Sequence, residues 1–274
     1  MGLTGKEIII DPQVGWRMWM GDLHNPSMGK KLVVLIILMG WALGIAPALA
    51  LAQGGTTIWL PLVEMPAPTP TPVSNPIHQG SATYYNATGD GSCMFGSSPN
   101  DLMVSAMNEV EYNHSWYCGA TLHVTGPKGT VDVRIVDLCP GCLAGQLDLS
   151  QQAFAKIADL PQGKVNISWQ VISPPLAGPI AYHFKDGSNQ WWTAVQIRNH
   201  RNPVVKLEYK DSGGQWVNVP RTDYNYFVQS NPGMGVGPYT FRVTDTYGNV
   251  LVDSGIPLTV NGTVNGVDQF PPGP

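Results

Sequence analysis

From about residue 80 onward, apolar and polar positions alternate in short runs. "SATYY", "LMVSAM", "ATLHVTG", "TVDVRIVDL" and "VNISWQVI" each carry the two-residue period of a strand with one face in a core, and Gly, Asn and Pro separate them. One segment breaks that period. In "QQAFAKIADL", Phe154, Ile157 and Ala158 fall on one helical face, Ser150 offers an N-cap hydroxyl, and Pro161 and Gly163 supply a stop. Five or six short strands with one small helix predict a closed β-barrel over residues 80–173.

A stiff join, "SPPLAGP", then leads into a second domain over residues 177–274. Its segments "AYHFK", "WWTAVQIRNH", "VVKLEYK", "QWVNVP", "YTFRVTD" and "VLVDSGIPLTV" are divided by the turns "KDG", "DSGG" and "TYGN". That cadence predicts an immunoglobulin-like β-sandwich. The whole chain is therefore expected to be mainly β, a six-stranded barrel followed by a sandwich.

Ahead of the barrel the pattern changes twice. Lys30 and Lys31 precede the uncharged apolar run Leu32–Ala52, which ends in a small-x-small pattern. Residues 1–52 read as a signal peptide with an extended n-region, with Met20 and Met28 as alternative starts, and the protein is expected to be secreted. A retained membrane anchor is the competing reading, disfavoured by Gly40, Gly44 and Pro47. Residues 53–79 alternate Pro and Thr and form an extended spacer with nothing to bury.

Composition narrows the partners. Only 12 % of residues are charged, the net charge is −4, and no basic run is present, which argues against nucleic acid. Nine Trp and ten Tyr point to aromatic rings on the surface of β domains.

All four cysteines, Cys93, Cys118, Cys139 and Cys142, follow the export segment, which predicts two disulfides. Three pairings are open, of which Cys93–Cys118 with Cys139–Cys142 is preferred. One CxxC with only His114 and His123 nearby is a poor zinc set, and the motif lacks the strand-to-helix context of a redox site. No metal or cofactor is expected.

Two aspartates stand out in "DLCPGCLAGQLDLS". Asp137 ends a strand and, by strict alternation with Val131, Val133 and Ile135, falls on their core-side face. Asp148 lies just before the helix N-cap, where helix-end electrostatics alone would favour an acid. Hydrolysis of a glycosidic bond normally takes two such carboxylates. In "SNQWWTAVQIRNH", successive strand residues point to opposite faces, so Trp191 and Trp192 can share one surface only if a turn or bulge intervenes. Trp169 and Trp216 lie within strand patterns and are expected in the core.

The combination of "GSATYYNATG", "GSCMF", "CGATLHVTGPKGTVDVRIVDLCPGC", "LDLSQQAFAKI" and "WQVISPP" resembles the double-psi β-barrel of expansins and their relatives. "YHFKDGSNQWWTAVQIRNHRNPVVKLEY" with "TDYNYFV" resembles the carbohydrate-binding sandwich of bacterial expansins, and the two domains match in the family's order from about Gly80 to Phe270. The resemblance implies that Asp148 is the acid expansins need for wall loosening, and that it matches the general acid of small endoglucanases on the same barrel. Thr83 and Asp137 would line the same groove. The base of those endoglucanases falls at or next to Asn86, an amide that takes no proton from water at neutral pH. Asp90 is the nearest carboxylate and would serve only after loop rearrangement. Bacterial expansins often carry an aromatic where this chain has Cys139, which leaves groove contacts to Tyr84, Tyr85 or Tyr117. Trp191, Trp192 and Tyr224 would form a flat strip that stacks on a glucan, flanked by Lys185.

The expectation is a secreted, non-hydrolytic, monomeric protein that binds cellulose and other β-glucans and loosens wall networks. Peptidoglycan is a further candidate polymer, and a membrane contact is expected only if the export segment is retained. The alternatives are an endoglucanase or lytic transglycosylase, and a purely adhesive carbohydrate-binding protein.

Overall fold

The computed structural model describes residues 75–274. The expected signal peptide and most of the Pro/Thr spacer lie outside the described residues. Among those described, no helix is long and apolar enough to cross a membrane.

The first domain contains β1 (His78–Tyr85), β2 (Val104–Asn108), a one-turn helix α1 (Glu109–Tyr112), β3 (Thr121–Gly126), β4 (Gly129–Cys139), β5 (Leu147–Ser150), α2 (Gln151–Ile157) and β6 (Val165–Ile172). The strands close into a barrel in the order β1-β5-β2-β4-β3-β6. β1–β5 and β2–β4 are parallel and the other pairs antiparallel, so the barrel is mixed. Ala82, Met107, Leu122, Val133, Ile135, Leu147 and Leu149 point inward and are essentially inaccessible, and Phe154 and Ile157 of α2 join them.

Local chemistry explains the helix. Ser150 accepts the Ala153 N–H through its hydroxyl at 3.0 Å, as an N-cap should. The helix stops at Ile157, before Pro161, because the β3–β4 turn takes over there. Lys128 N–H donates to the Ile157 carbonyl at 2.8 Å, and Ala158 is extended.

β5 and α1 were not legible as elements. "LDLS" is a four-residue strand buried between β1 and β2, and α1 is a single turn capped by Asn108.

A bulge corrects the expected orientation of Asp137. On the parallel β2–β4 ladder Ser105 pairs with Ile135, but Ala106 pairs with Asp137, so Val136 is an extra residue. The slip turns Asp137 from the core face, which strict alternation predicts, to the outer face.

The second domain contains β7 (Ala181–Phe184), β8 (Trp192–Arg198), β9 (Val204–Lys210), β10 (Trp216–Val219), β11 (Phe227–Ser230), β12 (Tyr239–Asp245), β13 (Val250–Ile256) and β14 (Thr263–Asn265). They form two four-stranded antiparallel sheets, β10-β9-β12-β13 and β11-β8-β7-β14. Tyr182, Phe184, Val195 and Ile197 of one sheet share a core with Leu207, Tyr209, Phe241 and Val243 of the other. Trp216 is a second correction. Val217 and Val219 take the inward positions on β10, so Trp216 is only half-buried and lies on the outer face beneath Arg242, 4.5 Å from its ring. Trp169 is buried, with its indole N–H donating to the Gly145 carbonyl at 2.9 Å.

Both disulfides form, Cys93–Cys118 and Cys139–Cys142. The first braces the part of the barrel on which the sandwich docks. The Cys93 carbonyl accepts from Gln196 Nε2 at 2.8 Å and from Asn225 Nδ2 at 3.3 Å. Half-buried Arg221 donates to the carbonyls of Ser115 and Trp116, both at 3.2 Å, and Tyr112 donates its hydroxyl to the Asp223 carbonyl at 2.9 Å.

Candidate functional site

Register places the barrel's groove residues in one row. Asp137 pairs with Ala106, Ala106 with Asp148, and Asp148 with Thr83, across β4, β2, β5 and β1. Direct partners project from the same face of a sheet, so Thr83, Asp148 and Asp137 all face outward. The Thr83 hydroxyl donates to Asp148 Oδ1 at 2.6 Å. Burial raises the Asp148 pKa above the ordinary carboxylate range; the Thr83 hydrogen bond works against that, and the charge of Asp137 adds to it.

The two aspartates do different work. Asp137 Oδ1 accepts from the backbone N–H of Ser92 at 2.7 Å and of Leu138 at 2.8 Å. Gly91 lies so close that a Cβ there would sit 2.3 Å from the Asp137 Cγ. Asp137 thus anchors the loop over residues 88–98 onto β4, while Asp148 has no backbone donor and only Thr83 as a side-chain partner.

The other groove candidates separate. Tyr85 follows Thr83 on the same outer face, and its hydroxyl is buried without a hydrogen-bond partner. Burial and then the charges of Asp137 and Asp148 raise its pKa. Tyr84 points the other way and packs on Phe154, and Tyr117 packs against the barrel core. Asn86 is exposed and accepts from Gln151 Nε2 at 2.8 Å. Asp90 holds its own loop, accepting from Gly91 N–H at 2.9 Å and Gly96 N–H at 3.1 Å. Among the described residues no three carboxylate, imidazole or thiolate groups converge to hold a metal ion.

On the sandwich, a turn does what the paired indoles require. Asn189 N–H donates to the Trp192 carbonyl at 2.8 Å, and Asn189 Oδ1 accepts from the N–H groups of Trp191 and Trp192 at 2.9 and 3.1 Å. Trp191 therefore sits in the turn, outside the strand alternation, and is 71 % exposed, while Trp192 begins β8 and is half-buried. Gly233 backs this turn: a Cβ there would lie 2.2 Å from the Gln190 carbonyl oxygen and 2.6 Å from the Trp191 Cα.

Alternation along β8 puts Val195 and Ile197 in the core, so Trp192, Gln196 and Arg198 face outward on the sheet that meets the barrel. Tyr224 is at the surface, its ring 6.0 Å from that of Tyr226, and Lys185 lies over the Tyr226 ring at 5.6 Å. Tyr226, almost wholly buried against Tyr224 and Lys185, was missed as a support for this surface. Its two-residue spacing from Tyr224 in "TDYNYFV" was the available signal.

A cavity of about 480 Å³ is lined by Asp90, Gly91 and Phe95 of the barrel and by Lys185, Arg198 and Tyr226 of the sandwich. Gly91 touches Asp137 on one side and this cavity on the other. The arrangement offers one raised-pKa acid beside a hydroxyl donor on the barrel, and exposed aromatic rings on the sandwich.

Comparison with known proteins follows the same division. The family model described as lytic transglycolase matches residues 77–169. Expansin-YoaJ of Bacillus subtilis is 39 % identical over 205 residues, covering 71 % of this chain and 87 % of that protein. The apo crystal structure of a Clavibacter michiganensis expansin is 35 % identical, covers 71 % of this chain and 98 % of its own, and superposes with a TM-score of 0.66. A substituted form of that expansin in complex with cellohexaose has the same identity and coverage and a TM-score of 0.67.

Proposed function

The chain belongs to the expansin family, and from that premise we propose that it is a secreted protein that binds cellulose and loosens wall polysaccharide networks without hydrolysing them. The observation that carries the reading is the turn at Asn189, which takes Trp191 out of the strand alternation and leaves its indole 71 % exposed. A glucan held on the indoles of Trp191 and Trp192 can run past Tyr224 and Lys185 into the groove of Asp148 and Thr83. The relative crystallised with cellohexaose supports a β-glucan as the ligand.

Flat ring faces match the C–H faces of β-linked glucose, and stacking covers one face of an indole, about half of the ~150–250 Å² that burying a whole aromatic side chain removes from water. At ~25 cal/mol per Å², that stabilises the complex by a few kcal/mol before ordering costs. In the groove, Asp148 accepts from sugar hydroxyls when ionised and donates to them when protonated. In this reading it acts without a paired base: Asp137 holds the loop over residues 88–98 through two backbone N–H bonds to its Oδ1, and Asn86 is an amide. Sugar hydrogen bonds are exchanged, and no glycosidic bond breaks.

The test is a cellulose pull-down of wild type and a Trp191→Ala/Trp192→Ala variant, with reducing ends measured on the same samples. Binding by wild type alone, with no reducing sugar released, is the expected result. Reducing ends that rise with time and protein would overturn the non-hydrolytic reading; equal binding by both proteins would overturn the role of the strip.

A second reading, a hydrolytic or lytic enzyme with Asp148 as the acid, draws on the raised pKa of Asp148 and on the lytic transglycolase family match. Product formed by wild type and lost in Asp148→Asn would favour it.

A further inference from the structure

The loop over residues 88–98 crosses β4 between two outward-facing side chains. Gly91 rests on Asp137, Cys93 N–H donates to the Val136 carbonyl at 3.0 Å, and Phe95 lies beside Arg134. On the far side of this loop from Asp137 is a second cleft.

Phe95 is flanked there by two guanidinium groups from different domains. Arg134 of β4 is 5.2 Å from the ring centroid, and Arg198 at the end of β8 is 5.9 Å from it. No more than the sum of those distances separates two like charges. A cleft of about 370 Å³ opens between barrel and sandwich at this point, with both arginines in its lining.

Neither arginine is fully neutralised by a described carboxylate. Arg198 donates to Gln196 Oε1 at 2.6 Å and reaches the Met94 carbonyl at 3.5 Å, but it makes no ion pair among the described residues. Arg134 has one long contact, 3.4 Å to Asp101, whose side chain is 63 % exposed. Asp90 lies near Arg198 but spends its Oδ1 on Gly91 and Gly96. His200, which also lines the cleft, is buried and held neutral, so it adds no charge at neutral pH.

Two guanidinium groups lining one cleft give it a positive potential that a bound anion would offset. Their planar forks favour oxyanions that accept parallel N–H bonds, a carboxylate above all. We propose that the Arg134–Arg198 cleft is a subsite for a uronate, a carboxylate carried on a sugar ring of an acidic polysaccharide. The identification of the ligand as a sugar rests on the proposed function; the call for an oxyanion rests on the two arginines.

The experiment is calorimetric titration of the protein with trigalacturonate, with its fully methyl-esterified form, and with inorganic phosphate, alongside cellulose pull-down. Trigalacturonate should bind saturably, and less tightly as salt rises. Arg134→Gln should weaken it about tenfold, the loss of one charge-assisted contact. Asp101→Asn, which removes the competing carboxylate, should tighten it, a change that general damage to the fold would not produce. The methyl ester should not bind, and cellulose binding should be the same in wild type and both variants. Absence of saturable binding, indifference to both substitutions, or phosphate binding as tightly as the uronate would overturn the proposal. Intact uronate binding with no cellulose binding would instead overturn the proposed function and leave this site standing.

Discussion

The Thr83 hydroxyl donates to Asp148 Oδ1 at 2.6 Å across the parallel β1–β5 ladder, where the two residues are direct partners. This bond stabilises the carboxylate, while burial and the nearby Asp137 charge oppose it, and the net pKa is raised. Between the unfolded and folded pKa values, the folded state therefore holds a proton that the unfolded chain releases. Stability from this group is present below the unfolded pKa and is lost as pH rises through the folded one. Asp148→Asn should remove that loss and raise Tm by a few degrees at most at neutral pH, with no gain in acid. Thr83→Val should move the Asp148 titration upward by about one unit, the worth of one hydrogen bond. Carboxyl NMR titration and thermal melts at several pH values check both; a Thr83→Val titration that moves downward would refute the assignment.

Gly233 should be as important to glucan binding as an indole. Its missing Cβ leaves room for the backbone of Gln190 and Trp191. Gly233→Ala should displace the turn and weaken cellulose binding roughly tenfold, about the loss expected from Trp191→Ala. Depletion isotherms on cellulose would show it. Unchanged affinity would mean that the turn does not set the position of Trp191.

Arg221 should couple the two domains. It is half-buried, stacks 4.7 Å from the Phe227 ring, and donates to two barrel carbonyls. Burial lowers its pKa to about 10, still well above neutral, so it stays charged. Arg221→Ala leaves those carbonyls short of a donor and should cost about 2–4 kcal/mol. Calorimetry should then resolve separate barrel and sandwich transitions. A single unshifted transition would show that the contact is dispensable.

Acid should loosen the junction. His200 is buried, and burial lowers its pKa from an ordinary value near 6.5 to about 4. The unfolded chain binds a proton there that the folded one does not, so stability falls as pH drops from about 6.5 toward 4. His183 behaves in the same sense, also with a pKa lowered to about 4. Urea midpoints should decline across this window, and the His200 imidazole should titrate near 4 by NMR. An imidazole titrating near 6.5 would contradict its burial.

Much of this architecture was readable in one dimension. β1, β3, β4 and β6 show a two-residue period, and Ser150 with the Phe154/Ile157 stripe marks α2, because these signals depend only on neighbours along the chain. β5 and α1, at four residues each, are too short for any period to register. Asp148 and Trp191 stand out in their own segments, whereas Thr83 and Tyr224 come into view only through the family resemblance, since motif order survives where local periodicity is silent.

By itself the sequence determined which segments extend, where one helix begins and which acids and aromatic residues stand out. Only the tertiary structure decided where those side chains point. Asp137 faces outward because β4 gains a residue against β2, Trp216 because β10 spends its inward positions on two valines, and Trp191 because Asn189 folds a turn beneath it. Arg134 and Arg198 meet at Phe95 although they belong to different domains. Register and docking are set by pairings between distant segments, and such pairings leave no periodic trace along a single chain.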